Sequence, residues 1–278
     1  MLVNNTITKI FMLVICIYPS SLFAQNMVNQ ERNAALDSLI CQGKSLTDNG
    51  YLTWNKDLML QGYSLLQRAE KISHENKFVE YYLAFIGYRL MTYGMAMKED
   101  QLYDDYVDQT KKRASDLCDT YENWSEPKPL LASIYGIEIA HNWMKSFFIG
   151  SKSEKLANAA LSIDSANPRA YLVIGITKLN APSIIGGGTK EGIEYLNMSV
   201  TLFERERQIQ DSLKDDLRPD WGYVDALTWL GIAYEKKENY IGALAVYEKA
   251  LQIYPSYTRA KYSLIPQLRN KMAQADKK

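Results

Sequence analysis

A helical pattern near the carboxyl end of the chain constrains its fold more than any other sequence feature. In residues 224–257, VDALTWLGIAYEKKENYIGALAVYEKALQIYPSY, apolar residues recur at helical spacing in two blocks that the polar run EKKENY separates. Small residues alternate with large ones at the positions where two packed helices approach most closely. Pro255 then ends the second block, because proline cannot continue a helix. The segment is therefore predicted to form an antiparallel pair of helices.

The positions that define this pair also match a known repeat. The segment resembles one tetratricopeptide repeat (TPR), whose pattern of about 34 residues runs W-x2-L-G-x2-Y, then A-x3-F, then A and P. Leu227 stands where the pattern has Trp, and Tyr247 stands where it has Phe. The residues at the defining positions are Leu230, Gly231, Tyr234, Ala243, Tyr247, Ala250 and Pro255. The resemblance implies a helical scaffold in which these residues form the fold itself.

Degraded copies of the same pattern precede this repeat. A first helix is predicted at Tyr171, Ile174 and Gly175, and its second helix carries Gly192, Leu196 and Ser199 at the spacing of Ala243, Tyr247 and Ala250. First-helix patterns also surround Gly87 and Gly136, and second-helix patterns occupy 62–72 and 110–121. The expected fold is all-α: a right-handed α-solenoid of about four to five TPR-like antiparallel helix pairs, more than the roughly three that a stable stack needs. This domain is predicted to span residues 25–278.

Three consecutive glycines, residues 186–188, precede one of the predicted second helices. From Gly175 in the first helix to Gly192 in the second is 17 residues, whereas the matching interval in the last repeat, Gly231 to Ala243, is 12. The connection therefore holds an insertion of five residues. A phosphate-binding loop would need G-x-x-x-x-G-K-[ST] after a strand, whereas here a helix precedes and Lys190 follows Thr189. We interpret the glycines as part of a repeat's loop, with Thr189 as the helix N-cap, and we expect no cofactor.

The first two dozen residues have the order of a secretory signal. Lys9 precedes an apolar run, Ile10–Tyr18, and small residues lead to a cleavage site after Ala24. The run is too short to span a bilayer, which needs about 20 apolar residues. Cys16 offers a weaker lipoprotein interpretation, because Ile15 precedes it where a small residue is expected. We expect residues 1–24 to be a signal peptide and the mature chain, without a transmembrane span, to be exported to the periplasm or the exterior.

Composition argues against nucleic-acid binding and against catalysis. Lys plus Arg equals Asp plus Glu, at 32 each, so no net field attracts nucleic acid. The two histidines, His74 and His141, give little material for a metal site, although Glu138 stands three residues before His141 on a predicted helix. Cys41 and Cys118 would be able to pair in an exported protein, but we interpret them as two separate buried thiols. We expect no metal site and no enzymatic activity.

Two groups of residues are candidates for binding. The inward positions of the last two first helices are predicted to be Leu172, Ile176, Thr228 and Ile232, and the inserted loop carries Ile184 and Ile185. These residues predict an apolar groove on the concave face. The inserted loop either folds over this groove, or its two isoleucines only cover the core of the next repeat.

Together the observations predict a non-catalytic exported TPR scaffold that binds a protein, a peptide or a transporter subunit on its concave face. The inserted loop, with its proline, apolar residues and glycines, is similar to that of exported bacterial TPR proteins, including the periplasmic T component associated with TRAP transporters. That resemblance implies the alternative, a periplasmic component that binds a small molecule for a transporter. The sequence indicates neither the partner nor the oligomeric state.

Overall fold

The structure, a computed structural model, describes residues 30–213 and 217–275, and the regular elements in these ranges are helices, without a strand. Short 3-10 turns lie at Trp143–Lys145 and Ser183–Ile185, and a π-helical turn, Ala260–Leu264, leads into the last helix. The eleven α-helices of these ranges are α1 (30–53), α2 (Lys56–Ile72), α3 (Lys77–Met97), α4 (Asp100–Thr120), α5 (Pro127–His141), α6 (Ser146–Ile163), α7 (Pro168–Asn180), α8 (Thr189–Leu213), α9 (Tyr223–Lys236), α10 (Tyr240–Ile253) and α11 (Ile265–Ala275).

Consecutive helices pack as antiparallel pairs, and each pair packs on the next. The pairs are α1 with α2, α3 with α4, α5 with α6, α7 with α8, and α9 with α10, and α11 packs on α10. The described residues therefore form five pairs and a final helix. The prediction of an all-α solenoid of TPR-like pairs is confirmed.

The second helix of each pair buries the same three positions, spaced i, i+4 and i+7. This spacing places the three side chains on one stripe of the helix, which packs against the first helix. The buried triplets are Gly62, Leu66 and Ala69; Thr110, Ala114 and Leu117; Ser153, Ala157 and Ala160; Gly192, Leu196 and Ser199; and Ala243, Tyr247 and Ala250. The pattern that was clear only in residues 224–257 thus extends through the whole stack.

Glycines in the first helices let these stripes approach closely. A Cβ atom on Gly231 would lie 2.2 Å from Cε1 of Tyr247, and one on Gly175 would lie 2.7 Å from Cγ of Leu196. The third pair differs, because a Cβ on Gly136 would meet nothing within 4 Å. There Ser153 replaces the apolar contact, since its hydroxyl donates to the carbonyl oxygen of Ala132 at 3.0 Å.

Asparagine side chains begin four of these helices. In each case the side-chain oxygen accepts a hydrogen bond from a backbone N–H of the first turn, which otherwise has no intrahelical partner. The N-cap residues are Asn55 before α2, Asn76 before α3, Asn167 before α7 and Asn239 before α10. Helix α8 begins at Thr189 itself, one residue earlier than the sequence predicts.

The first helices form the inner layer of the stack, because α3 contacts α5, α5 contacts α7, and α7 contacts α9. The stack curves until its first pairs touch its last. The hydroxyl of Tyr51 on α1 donates to Asp225 on α9 at 2.5 Å, and the hydroxyl of Thr258 donates to the carbonyl oxygen of Leu52 at 3.1 Å. One continuous hydrophobic core accordingly runs from Leu36 to Ala260.

Two sequence predictions concern the ends and the thiols. The predicted signal peptide, residues 1–24, lies outside the described residues. Within the described ranges, no helix combines the length and the apolar character that crossing a membrane requires. Cys41 and Cys118 are both half-buried and are not bonded to each other. Burial raises the pKa of the Cys118 thiol to about 11, so this thiol is protonated at neutral pH.

Candidate functional site

A short segment without helix or strand, residues 217–222, crosses the inner layer before α9. We call it the strap; its sequence is LRPDWG. Three inner helices hold its main-chain carbonyl oxygens. The Tyr82 hydroxyl on α3 donates to the carbonyls of Leu217 and Arg218, at 3.1 and 2.8 Å. Lys44 on α1 donates to the Arg218 carbonyl at 3.1 Å, and Arg169 on α7 donates to the carbonyl of Pro219.

Trp221 fixes the carboxyl end of the strap in the core. Its side chain is only 4% exposed and stacks on Phe85, with ring centroids 5.4 Å apart. The indole N–H donates to the Tyr81 hydroxyl at 2.7 Å, which satisfies the one polar atom of the buried ring. Because the strap fills the space between the first helices, the chain itself occupies part of its concave face.

A buried ion pair joins the second pair of helices to the fifth. Arg89 on α3 donates to Asp225 on α9 at 2.7 Å, and both side chains are nearly inaccessible to solvent. The guanidinium carbon lies 3.7 Å from the ring centroid of Tyr51. Removal of either partner would destabilise the fold, because it would leave the other charge buried without compensation.

A second buried cluster lies around Arg169. Its guanidinium contacts Glu206 at 2.7 Å and Glu126 at 3.4 Å, so two carboxylates share one cation. Burial, and then the charge of Glu206, raise the pKa of Glu126 to about 7 even though Arg169 opposes this shift. The cluster therefore holds an extra proton in acid and loses it near neutrality.

A small cavity of about 110 Å³ lies beside the strap, between α1, α9 and the turn after α10. Asp48 and Asp220 both line it, and Lys44 pairs with Asp220 at 2.8 Å. Burial, and then the neighbouring charge of Asp220, raise the pKa of Asp48 to about 7. The cavity thus contains charged side chains among aromatic and aliphatic ones, and one of its carboxyl groups has a pKa near neutral pH.

The turns within successive pairs follow one another along one edge of the solenoid, and we call this row the turn edge. Trp54 in the first turn donates its indole N–H to the Met97 sulfur at 3.2 Å. The ring of His141 stacks on Tyr103 with centroids 4.0 Å apart, which joins the second turn to the third.

Two further contacts continue the row. Lys178 pairs with Glu154 at 2.8 Å, between the fourth pair and the third. Lys236, at the end of α9, donates to the Asn180 side chain at 3.3 Å and so joins the fifth turn to the fourth. The turn edge is therefore continuous from the first pair to the fifth.

Large apolar side chains are exposed along this edge. Among the described residues ten large hydrophobic side chains are exposed, and six of them lie at or beside the turn edge. Trp143 is 68% exposed, Phe148 78%, Ile184 91% and Ile241 77%. These six are Met97, Trp143, Met144, Phe148, Ile184 and Ile241. Exposed apolar residues that gather in this way usually mark an interaction surface.

The structure separates the residues predicted to bind. Leu172 and Thr228 are buried core residues, so neither is accessible to a partner. The Thr228 hydroxyl lies 2.9 Å from the Tyr257 hydroxyl. Ile176 and Ile232 are half-buried and pack against the core. Only Ile184 is prominently exposed, and the side chain of Ile185 lies outside what the structure describes. The two predicted groups therefore do not form one groove.

The glycines of the inserted loop have conformational roles. Gly186 and Gly188 have φ values of 77° and 144°, which residues other than glycine rarely adopt. Gly187 approaches Ala181 so closely that a Cβ would lie 2.3 Å from its carbonyl oxygen. The carboxylate of Glu191 lies beside Gly188 at the start of α8, at the place where a phosphate-binding loop would hold its anion.

The residues considered for chemistry are held in structural contacts. Glu138 accepts from Lys111 at 3.1 Å and from Lys145 at 2.9 Å, rather than from His141, because it points to α4 and to the third turn. His74 is exposed in the turn before α3. In the ranges 30–213 and 217–275, no group of three His, Cys, Asp or Glu residues is placed to hold a metal ion.

Comparison with known proteins agrees with this geometry. The family profile described as "Tetratricopeptide repeat" matches residues 224–257. This chain contains a tetratricopeptide repeat. The match covers the last pair, α9 and α10, and the four earlier pairs bury the same three positions of their second helices with diverged residues.

Two solved structures are similar to most of the helical stack. One is TTC0263, a thermophilic TPR protein of Thermus thermophilus, with a TM-score of 0.52 and 15% identity, covering 84% of this chain and 98% of that one. The other is the HusA haemophore from Porphyromonas gingivalis, with a TM-score of 0.54 and 17% identity, covering 73% of this chain and 93% of that one. At these identities the likeness shows the fold alone. No curated protein matches the sequence.

Proposed function

We propose that this protein is a non-catalytic TPR scaffold that binds another protein through its turn edge. The observation that carries the proposal is the row of exposed apolar side chains from Met97 to Ile241, on a face that the described residues leave exposed. The fold supports a protein-interaction role, since TPR stacks present extended surfaces to partners. The strap and its buried contacts argue that the concave face is less accessible than the turn edge.

The third turn is the centre of the proposed surface. Trp143, Met144 and Phe148 stand within six residues of one another on a short 3-10 turn and the start of α6. Aromatic residues and methionine are enriched at protein interfaces, and tryptophan is prominent among the residues that dominate binding energy. Ile184 extends the surface to the next turn. We expect this group to enter apolar pockets of the partner.

Site-specific photo-cross-linking in the native host tests this proposal. A benzophenone amino acid placed at residue 143 or at residue 184 should capture the same partner protein. Ile163 and Met198 are exposed apolar residues away from the turn edge and give matched control positions. Trp143→Asp should also abolish capture from position 184. Equal capture from the control positions, or capture from residue 184 that survives Trp143→Asp, would contradict the proposal.

A second candidate function, the binding of a planar apolar molecule such as haem, rests on the third turn and on the likeness to a haemophore. This candidate corresponds to the small-molecule alternative that the T-component resemblance implies. The exposed His141 lies two residues before Trp143 in the sequence, and Met144 lies between Trp143 and Phe148 along the chain. Aromatic rings can stack on a porphyrin, while imidazole and thioether groups are ligands that haem iron accepts.

A haem titration separates the two functions. Binding at the third turn would give a saturable change in the Soret band that Trp143→Ala and His141→Ala each weaken. A matched control is His74→Ala, because His74 is the other exposed histidine and is far along the chain. If haem shows no saturable binding, or if His74→Ala weakens it as much as His141→Ala, this candidate is excluded and protein binding remains.

We infer that the protein acts outside the cytoplasm. The support is the order of residues 1–24, with Lys9, the apolar run and Ala24 before the cleavage site. Amino-terminal sequencing of the mature protein should begin near residue 25. A start at Met1 in a cytosolic fraction would contradict export, and diacylglycerol on Cys16 would instead show a lipoprotein.

A further inference from the structure

The strap is held in the way that a groove holds a peptide ligand. Its residues form neither helix nor strand, and the carbonyl groups of residues 217–219 accept hydrogen bonds from side chains of the surrounding helices. Side chains that donate to main-chain carbonyls recognise a peptide backbone whatever its sequence. The donors Tyr82, Lys44 and Arg169 come from α3, α1 and α7, which are separate walls of the inner face.

Two side chains of the strap add sequence preference. Asp220 pairs with Lys44 at 2.8 Å, and Trp221 enters a pocket formed by Phe85 and Tyr81. Pro219 is buried and needs no main-chain donor. The contacts therefore select a segment in which proline, an acidic residue and an aromatic residue follow one another.

We propose that the inner face is a peptide-binding groove which the strap occupies in cis, and that its partner is a peptide with the pattern proline–acidic–aromatic. The strap acts as an autoinhibitory ligand, and a partner segment binds when it replaces the strap. This site is distinct from the turn edge, because none of its side chains belongs to the intrapair turns. Since the strap is part of the same chain, it competes at a high effective concentration, so the intact protein binds such a peptide weakly.

The test uses the full chain and a capped fluorescent peptide with the sequence LRPDWG. The variant Asp220→Ala/Trp221→Ala removes both side-chain anchors of the strap but leaves the groove unchanged. Fluorescence polarisation should show that this variant binds the peptide at least ~10-fold more tightly than the intact protein, because the competing cis ligand is weakened. Adding Tyr82→Phe and Lys44→Met to the variant should remove the gain. A peptide with alanine in place of tryptophan should fail to bind.

Folding of the double variant must be checked by circular dichroism, since Trp221 belongs to the core. If the double variant unfolds, Asp220→Ala alone serves, and an excess of the LRPDWG peptide should raise its melting temperature while the alanine peptide does not. Trp143→Asp, on the turn edge, should leave peptide binding unchanged. Failure of the peptide to bind or to stabilise a folded strap variant, or equal binding of the alanine peptide, overturns the proposal without affecting the turn edge.

Discussion

At the scale of single residues, two partly buried carboxyl groups are expected to control how the stability depends on pH. Burial raises the pKa of Glu126 and that of Asp48 to about 7, from ordinary values of 4.5 and 3.8. The folded protein thus binds these protons more tightly than the unfolded chain does. A raised carboxyl pKa contributes stability at low pH, and this contribution is lost as the pH rises through the folded-state value.

We therefore predict that the free energy of unfolding falls as the pH rises from about 6 to about 8. Urea denaturation at the two pH values measures it. Glu126→Gln and Asp48→Asn should each reduce the dependence, because each removes one titrating group. His74 is exposed and lies outside both clusters, so His74→Gln serves as the matched control and should change little. If neither carboxyl variant changes how the free energy of unfolding depends on pH, groups other than Glu126 and Asp48 cause the dependence.

Two glycines give opposite predictions for the same substitution. Gly231→Ala places a Cβ 2.2 Å from Tyr247 and should destabilise the protein by about 1–3 kcal/mol. Gly136→Ala meets nothing within 4 Å and should stabilise it by roughly 0.5–1 kcal/mol, because alanine favours the helix over glycine. Melting temperatures of the two variants provide the measurement. The same direction of change in both would contradict the helix packing described for the third and fifth pairs.

At the scale of structural elements, the strap is predicted to matter more for stability than any exposed aromatic segment. Trp221→Ala removes a buried ring that packs on Phe85 and should lower the free energy of unfolding by about 3–5 kcal/mol. Trp143→Ala removes an exposed ring and should change it by no more than about 0.5 kcal/mol. Chemical denaturation compares the two directly, and equal losses would show that the strap is not anchored in the core.

The inserted loop gives the complementary prediction. Ile184 is 91% exposed, so Ile184→Ser should leave the melting temperature within about 1 °C of the parent and weaken partner capture at the turn edge. The hypothesis that this isoleucine covers the core of the next repeat instead requires a lower melting temperature with unchanged capture. Differential scanning fluorimetry and the cross-linking yield separate the two outcomes.

The helices could be predicted from the sequence, whereas the strap could not. Helix pairs depend on local spacing, so Gly175, Leu196 and Ser199 can be aligned with the last repeat by their spacing alone. The inserted loop is recognisable for the same reason. The strap depends on contacts such as that of Trp221 with Tyr81, which are 140 residues apart and follow from the curvature of the stack.

The candidate site was predicted less well than the fold. The spacing within two repeats gives the positions that face inward, but it does not show which of them neighbouring elements cover. Leu172 and Thr228 are buried by such contacts, which a local pattern does not contain. Arg89 leaves a sequence signal, because it interrupts an otherwise apolar stretch of a first helix, whereas Arg169 follows Asn167 and Pro168 at the start of its helix and leaves none. A charge at the position of Arg89 is rarely buried without a partner, so the sequence indicates that it pairs with a distant carboxylate.

At the scale of the whole molecule, closure distinguishes this stack from an open solenoid. Repeats of an open solenoid contact only their neighbours and can unfold in succession. Here Tyr51 and Arg89, from the first two pairs, both reach Asp225 in the fifth. We expect the described helices to unfold as one cooperative unit, with the concave face closed by the strap and the turn edge left for partners.

Amide hydrogen exchange in the intact protein and in Trp221→Ala tests this central claim most directly. In the intact protein, buried amides of α1, α3 and α9 should exchange with the same free energy of opening, because the three helices open together. In Trp221→Ala, α1 and α3 should become less protected than α10, while the third and fourth turns keep their rates. Earlier opening of α9 than of α3 in the intact protein, or no change on removing Trp221, would show an open solenoid and contradict the account.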